Sequence, residues 1–330
     1  MDFSTLLAFF LSSAITVWLI VPIVGVVTRF RINYTPKGVG LGETEEGDSQ
    51  RLSQDMRVGP VVNSPLAMFL RVKRIEGYQG LYKGLMPLLL TAILQHILSY
   101  IFISGGGTSP RYAISSQGLW GTILWCFFIV IWSIPREILV NRAICTPHKL
   151  PWLNPRLALR VLFTSYERQN PWRLYFTPGI ALAQALHVIY FFTVVRGARS
   201  LFVPSFTPGY RSSWGVLRGF WPFVGFVVYI LFLCLGFIVL CPLEVLAARL
   251  SVQRNHYRSA GGVPAPVQEE LPPGLEYSGE NEDVIGLRDE DQPYEGLLDA
   301  MRKIVEEEGW STLYRAFYLT LFGTVFAGLT

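Results

Sequence analysis

Apolar runs long enough to cross a membrane alternate with polar segments along the whole chain. A membrane-spanning helix needs about 20 mostly apolar residues. Six runs approach or exceed this length, and they cover roughly residues 4–29, 85–103, 118–141, 178–195, 216–241 and 316–330. Continuous apolar runs of this length predict helices rather than strands. The pattern therefore predicts an all-α membrane protein that crosses the bilayer several times.

Two polar connections are much longer than the others. Residues 35–65 and 255–292 are rich in Gly, Pro, Ser and acidic residues without periodicity, which predicts flexible loops. The second is strongly acidic, and a solvated loop is a simpler interpretation of it than a site for a metal or a partner protein. Amphipathic stretches follow these loops at 65–75 and 294–307 and predict short helices on the protein surface.

One sequence motif recurs three times, each time directly before an apolar run. The first and third copies carry the same series of acidic, glycine, aromatic, basic and small residues: Glu76, Gly77, Tyr82, Lys83 and Gly84, then Glu308, Gly309, Tyr314, Arg315 and Ala316. The second copy is weaker, because it keeps Tyr175 but has Gln169 at the acidic position and Thr177 at the last one. A motif repeated at a long period predicts a chain built from similar structural units.

A proline motif precedes each of these copies. Three prolines end apolar runs 113 and 107 residues apart, namely Pro22, Pro135 and Pro242. Each is followed seven residues later by an arginine: Arg29, Arg142 and Arg249. Two residues after the proline stand Val24, Glu137 and Glu244. The two motifs together predict three repeat units, at 1–104, 105–204 and 205–330, with the long loop 35–65 in the first and the acidic insertion 255–292 in the third.

Together the two motifs resemble the pattern of the mitochondrial carrier family, which is Pro-x-acid-x-x-base-x-base and then acid-Gly-x4-aromatic-base-Gly. The resemblance covers nearly the whole chain and is specific, because three copies occur in the right order. It implies a six-helix carrier bundle with threefold pseudosymmetry and short surface helices on the matrix side. It also implies a multi-pass protein of a mitochondrial membrane, the inner rather than the outer, that transports a small solute by alternating access.

The resemblance further implies where a solute would bind. In carriers, solutes contact the even-numbered helices about two turns beyond the last residue of the second motif. The candidate solute contacts in this chain are Thr91, Gln95, Gln184, Ala185, His187, Gly323 and Thr324. This set contains no arginine to bind an anion, so we expect a neutral or zwitterionic solute. The alternative is that these polar side chains only form hydrogen bonds between helices.

The chain departs from the family where carriers form the ion pairs that close one side of the bundle. The basic positions of those pairs hold Val27, Val140 and Ala247. The two acidic residues that remain, Glu137 and Glu244, are therefore expected to lack their family partners.

Pairs within a repeat unit are better preserved. Arg29 and Arg249 are expected to pair with Glu76 and Glu308, whereas Arg142 has only Gln169 at the equivalent place. Such pairs would hold a unit together rather than open and close it. The lost gates leave a second function open: a carrier-fold adaptor of the mitochondrial outer membrane that no longer transports, acts in fusion or lipid organisation, and binds a protein partner through 255–292.

Composition and charge narrow the remaining possibilities. Hydrophobic residues make up 51% and charged residues 16% of the chain, which indicates a membrane protein rather than a soluble one. The net charge of +4 suits anionic lipid and is too small to indicate nucleic acid. Lys83 and Arg315, at helix starts, are candidates for binding lipid phosphate, with cardiolipin as the family's example; ordinary interfacial placement of the two side chains is the alternative.

No cluster of chemically reactive residues is apparent. The four cysteines and four histidines are scattered, and no nucleophile stands in a recognisable catalytic arrangement. We therefore expect neither an enzyme nor a bound metal or cofactor.

Overall fold

The computed structural model describes most of the chain as helices. It describes residues 3–37, 59–102, 118–151, 154–203, 220–256, 275–279, 282–290 and 292–329. Of these residues 76% are helical and none forms a strand. The all-α prediction is therefore confirmed for the described residues.

The long helices follow the apolar runs. They are α1 (Phe3–Ile32), α4 (Leu85–Phe102), α5 (Gly118–Cys145), α8 (Ile180–Ile189), α9 (Arg196–Phe202), α10 (Phe220–Leu235), α11 (Phe237–Val252) and α13 (Phe317–Leu329). A π-helical turn, Tyr190–Val195, joins α8 to α9 without a break in the helical path. Gly236 alone separates α10 from α11.

Within the described residues, five helical stretches are long and apolar enough to cross a membrane, judged by length and composition. They are Leu11–Ile32, Gly77–Leu98, Ile123–Cys145, Ile180–Phe202 and Phe223–Val252. The sixth predicted run yields only α13, whose 13 described residues rise by about 20 Å. The hydrocarbon core of a bilayer is about 30 Å thick, so α13 as described is shorter than a full span.

The three motif prolines lie inside helices, and those helices meet. Pro22 is in α1, Pro135 in α5 and Pro242 in α11. These three helices contact one another, α4 packs on both α1 and α5, and α8 packs on both α5 and α11. Hydrogen bonds join the C-terminal parts of the proline helices, for example Asn141 Nδ2 to Ser251 Oγ at 2.8 Å. The segments that follow the prolines therefore converge.

Short helices lie between the long ones. They are α2 (Pro65–Ile75), α3 (Gly77–Leu81), α6 (Pro155–Leu162), α7 (Ser165–Gln169) and α12 (Leu297–Glu307). Two of them, α2 and α12, lie where the amphipathic patterns at 65–75 and 294–307 predict them. Ser64 begins α2 and Asn154 begins α6, each by accepting a hydrogen bond from a backbone N–H of the first turn. In both helices a proline follows the cap directly, at a position where its missing N–H costs nothing.

The acidic segment is predicted to be a flexible insertion, but part of its described length packs against the protein. Val284 and Ile285 are buried in an apolar cluster with Met68 and Val72 of α2. The backbone of Gly286 exchanges hydrogen bonds with Asn33 and Tyr34 after α1. Buried aliphatic side chains and paired backbone groups stabilise this segment on the protein, a feature hidden by its acidic composition. Residues 257–274 of the insertion and 38–58 of the first loop lie outside the described residues.

Candidate functional site

Three buried ion pairs lie at matching places in the three predicted repeat units, and we call them the brace pairs. In each, the arginine seven residues after the proline binds a glutamate on the connection to the next long helix: Arg29 with Glu76, Arg142 with Glu167, and Arg249 with Glu308. Arg29 Nη2 lies 2.8 Å from Glu76 Oε2, and Arg249 Nη2 lies 2.9 Å from Glu308 Oε2. The pairs predicted for the first and third units are therefore confirmed.

The second brace pair corrects the sequence analysis. Arg142 does not face Gln169, because Glu167, two residues earlier, takes the acidic position. Glu167 also closes the N-terminus of α7, where its carboxylate accepts from the backbone N–H of Thr164 while the Thr164 hydroxyl accepts from Glu167. Burial by itself raises the pKa of Glu167, but hydrogen bonds from Arg142 and from the Asn255 and Thr164 backbone hold that pKa below its ordinary value.

A residue with a left-handed backbone conformation precedes each of three helices, α4, α8 and α13. Gly84 precedes α4, Gly179 precedes α8 and Ala316 precedes α13, with φ of 84°, 84° and 58°. In the first and third copies this residue is the last residue of the motif, but in the second copy it is Gly179, two positions after Thr177. The solute contacts predicted by counting from Thr177 are therefore shifted by two residues. Tyr82 of the first motif copy stacks on Trp18 of α1 at 5.9 Å between ring centroids.

Polar groups on α1, α5, α8, α11 and α13 form a layer, which we call the polar layer. It consists of Arg31, Glu137, Gln184, His187, Glu244 and Thr320. Gln184 and His187 are three residues apart on α8, so both lie on one face of that helix. The Gln184 amide donates to Glu137 of α5, and His187 Nε2 lies 3.8 Å from Glu244 of α11. Helix α8 therefore connects the acidic residues of two proline motifs.

Glu244 lacks its family partner, as expected, but has three other polar neighbours. Arg31 Nη2, near the end of α1, donates to the Glu244 carboxylate at 2.7 Å. The Thr320 hydroxyl of α13 donates to the same oxygen at 2.7 Å, and His187 approaches the other oxygen. Since Arg31 belongs to the first unit and Glu244 to the third, this ion pair crosses between units. Glu137 likewise has a partner in Gln184.

Of the predicted solute contacts, only Gln184 and His187 belong to the polar layer. Thr91 donates within its own helix to Pro87 O at 2.7 Å, and Thr324 donates to Thr320 O at 2.7 Å. Gly323 is exposed, and a Cβ atom added there would have no neighbouring atom within 4 Å. The two remaining candidates, Gln95 on α4 and Ala185 on α8, are half-buried.

The carrier gate positions are apolar here. Val140 and Ala247 are buried, and Val27 packs at the edge of an apolar cluster. At these positions apolar packing stabilises the converging segments where carriers have ion pairs. The cross-unit pair of Arg31 and Glu244 stands apart from these positions, because Arg31 is nine residues after its proline rather than five.

Lys83 and Arg315 point into the protein, which does not support the predicted lipid contacts. Lys83 Nζ donates to Glu76 at 2.5 Å and to Thr146 O at 2.8 Å. Arg315 donates to the backbone carbonyl of Asn33 and to the Thr35 hydroxyl. Burial and the neighbouring Arg249 lower the pKa of Arg315 to about 10, against the opposing effect of Glu308.

Sequence reasoning missed Arg31, Thr320 and Glu167. Two weak signals could have found the first two. Thr320 is one helical turn before Thr324, so both lie on one face of α13. Arg31 is a cation at the end of a long apolar helix, where a basic side chain also compensates the helix dipole.

Comparison with known proteins adds no further information. No protein-family model matches this chain, and a search of curated proteins finds no match to it.

Proposed function

We propose that this chain is a mitochondrial carrier-like membrane transporter. It moves a small neutral or zwitterionic solute by alternating access, through a six-helix bundle of three pseudosymmetric units. The solute binds at the polar layer, where Gln184 and His187 face it from α8.

The observation that carries this proposal is the polar layer itself. Ionisable side chains inside a membrane-spanning helix are costly, and they generally mark a pathway for a solute or ion. Here Glu137, Glu244 and Arg31 are held near the converging ends of helices that the candidate spans include. A bundle with only a structural role would reach the same stability with apolar residues at these positions.

The charges of the polar layer favour a zwitterion over an anion. Two carboxylates, Glu137 and Glu244, can accept hydrogen bonds from an ammonium group. Arg31 and His187 can donate to a carboxylate of the same solute. When the solute binds, hydrogen bonds between residues of the polar layer are replaced by hydrogen bonds to the solute. No polar group is then left unpaired, which limits the free-energy cost of desolvation.

The cross-unit ion pair supplies one element of a gate. Opening between the first and third units would separate Arg31 from Glu244, which are partly exposed at 13% and 29%. The brace pairs are within units and would stay closed during such a motion. Rocking of rigid units about a central site is the usual motion of transporters built from repeats.

Exchange in liposomes tests the proposal. Purified protein is reconstituted and loaded with radiolabelled amino acids, polyols or dicarboxylates, and uptake is measured against the same compound outside. We expect exchange of a zwitterionic or neutral compound, its loss in Gln184→Leu, and a wild-type rate in the control Leu186→Ala, which changes an exposed residue on the same helix. A wild-type rate in Gln184→Leu would remove Gln184 from the site.

The adaptor function is the second candidate, and one observation favours it. The positions that hold the basic residues of the gate pairs in carriers are Val27, Val140 and Ala247 here, so the usual set of gate pairs is missing. Partner capture through 255–292, however, would compete with the contacts that residues 282–290 make to their own chain. Absence of exchange for every compound, together with capture of a partner that is lost on deleting 255–292, would establish the adaptor instead.

A further inference from the structure

The described part of the acidic insertion crosses the converging helix ends, and we call residues 275–279 and 282–290 the strap. Its first part binds the second repeat unit just after α5. Ser278 N–H donates to Pro147 O at 2.9 Å, and Lys149 N–H donates to Glu276 O at 2.9 Å. Between these two bonds the rings of His148 and Tyr277 meet edge to face, 4.8 Å apart.

Its second part binds the first repeat unit just after α1. Tyr34 N–H donates to Gly286 O at 3.0 Å, and Gly286 N–H donates to Asn33 Oδ1 at 3.0 Å. Arg71 of α2 donates to Val284 O at 3.0 Å and lies 3.4 Å from Glu282. Asn33 is 1% exposed, so its side chain is part of a formed binding surface rather than a chance surface contact.

The fit between strap and surface is close. A Cβ atom at Gly59 would lie 2.6 Å from Gly286 N, so only glycine lets the strap backbone approach there. Val284 and Ile285 fill the apolar cluster that also holds Cys145 at the end of α5. The last part of the strap reaches α12, where Arg288 Nη2 lies 2.8 Å from Glu307 Oε1.

We propose that the strap is an internal ligand that locks the converging ends of α1 and α5. It binds directly after both helices, so separating their ends would break at least one of the two sets of backbone hydrogen bonds. The surface formed by Asn33, Arg71 and 147–149 is therefore a docking surface for an extended acidic peptide, occupied here by the chain itself. As far as transport is concerned, this inference depends on the proposed function: the bundle opens at this end only after the strap leaves.

Hydrogen exchange on the full-length protein in lipid nanodiscs tests docking without any solute. In the wild type, peptides that cover 282–290 should exchange slowly, since the amide of Gly286 is bound. In Arg71→Gln and in Asn33→Ala they should exchange at least about tenfold faster, a factor equivalent to ~1.4 kcal/mol of docking free energy. Arg302→Gln, which breaks an exposed pair with Glu306, is the control and should change nothing in the strap.

Alkylation of the native Cys145 measures the locking. Cys145 is buried beneath the strap, and release of the strap should increase its rate of reaction with N-ethylmaleimide by the same factor. Cys126, half-buried in α5 and far along that helix, serves as the internal control. Arg71→Gln removes only contacts at the edge of the surface, so it remains informative if Asn33→Ala fails to fold.

The outcomes separate this inference from the proposed function. Fast exchange of 282–290 in the wild type would overturn docking. Strap release with unchanged Cys145 labelling would overturn locking. The strap could prove to be docked and to lock the helix ends while the protein exchanges no compound in liposomes. That result would support this inference and contradict only the proposed transport function.

Discussion

Arg142 and Glu167 form a two-pronged ion pair in which both side chains are almost completely buried. Nη1 lies 2.5 Å from Oε2, and Nη2 lies 2.9 Å from Oε1. The same guanidinium donates to the carbonyls of Leu162, Ser251 and Gln253, so it also joins the second unit to the third. This pair fixes the end of α5 against α7 and α11.

Replacing Glu167 should destabilise the fold strongly. Glu167→Ala leaves the Arg142 charge buried without its carboxylate, and breaking a buried pair in this way costs about 3–5 kcal/mol. Thermal unfolding in detergent, followed by intrinsic fluorescence, measures the loss. Glu306→Ala removes the partner of an exposed pair on α12 and should shift the midpoint little. An equal effect of the two substitutions would contradict the role given to the brace pair.

The contribution of Glu167 should depend on pH in a defined direction. Its pKa in the folded protein is below the ordinary 4.5, so the stabilisation is fully present above that value and is lost as the pH falls through the folded pKa. The difference in unfolding midpoint between wild type and Glu167→Gln, followed from about pH 7 to about pH 3, should therefore shrink at the acidic end. A constant difference across this range would mean that the charge of Glu167 is not what stabilises the fold.

The cross-unit pair should show energetic coupling. In a double-mutant cycle of Arg31→Gln and Glu244→Gln, the coupling free energy should be on the order of 1 kcal/mol, because the two residues are in direct contact and partly buried. Urea or thermal unfolding of the four proteins provides the values. The exposed pair of Lys149 and Glu276 is the comparison and should couple more weakly. Additive effects of the first two substitutions would show that this contact does not stabilise the described state.

Gly179 should tolerate no side chain. It has φ of 84°, and a Cβ atom there would lie 2.5 Å from Leu297 N at the start of α12. Gly179→Ala should therefore lower stability by about 1–3 kcal/mol, through backbone strain and through displacement of α12. Gly323→Ala is the matched control, because it lies within α13 in open space and should gain about 0.5–1 kcal/mol in helix propensity. Equal unfolding midpoints for the two variants would contradict this account of α8 and α12.

Much of the helical framework could be predicted from the sequence, because it depends on local properties. Apolar length predicts the five long stretches, and the motif spacing predicts two of the brace pairs. Glu167 was missed because the second unit has extra residues between its acidic position and Gly179, a shift that motif counting cannot detect. Finding it requires knowledge of where α7 begins.

Long-range partners account for the rest. Nothing in the local sequence places Arg31 beside Glu244, 213 positions away, or places Val284 in a cluster with Met68. Acidic composition predicts a solvated loop, yet two aliphatic residues and an asparagine that accepts a backbone N–H are enough to dock the strap. Such contacts depend on how the helices are arranged in space, which sequence periodicity does not specify.

A thermal-shift panel tests the central claim most directly, since a ligand stabilises whichever state binds it. Wild type, Gln184→Leu and Leu186→Ala are unfolded in the presence of zwitterionic amino acids, uncharged polyols and dicarboxylates. We predict that at least one neutral or zwitterionic compound raises the midpoint of wild type and Leu186→Ala but not that of Gln184→Leu. Stabilisation by dicarboxylates alone, or an equal shift in all three proteins, would contradict a solute site at the polar layer.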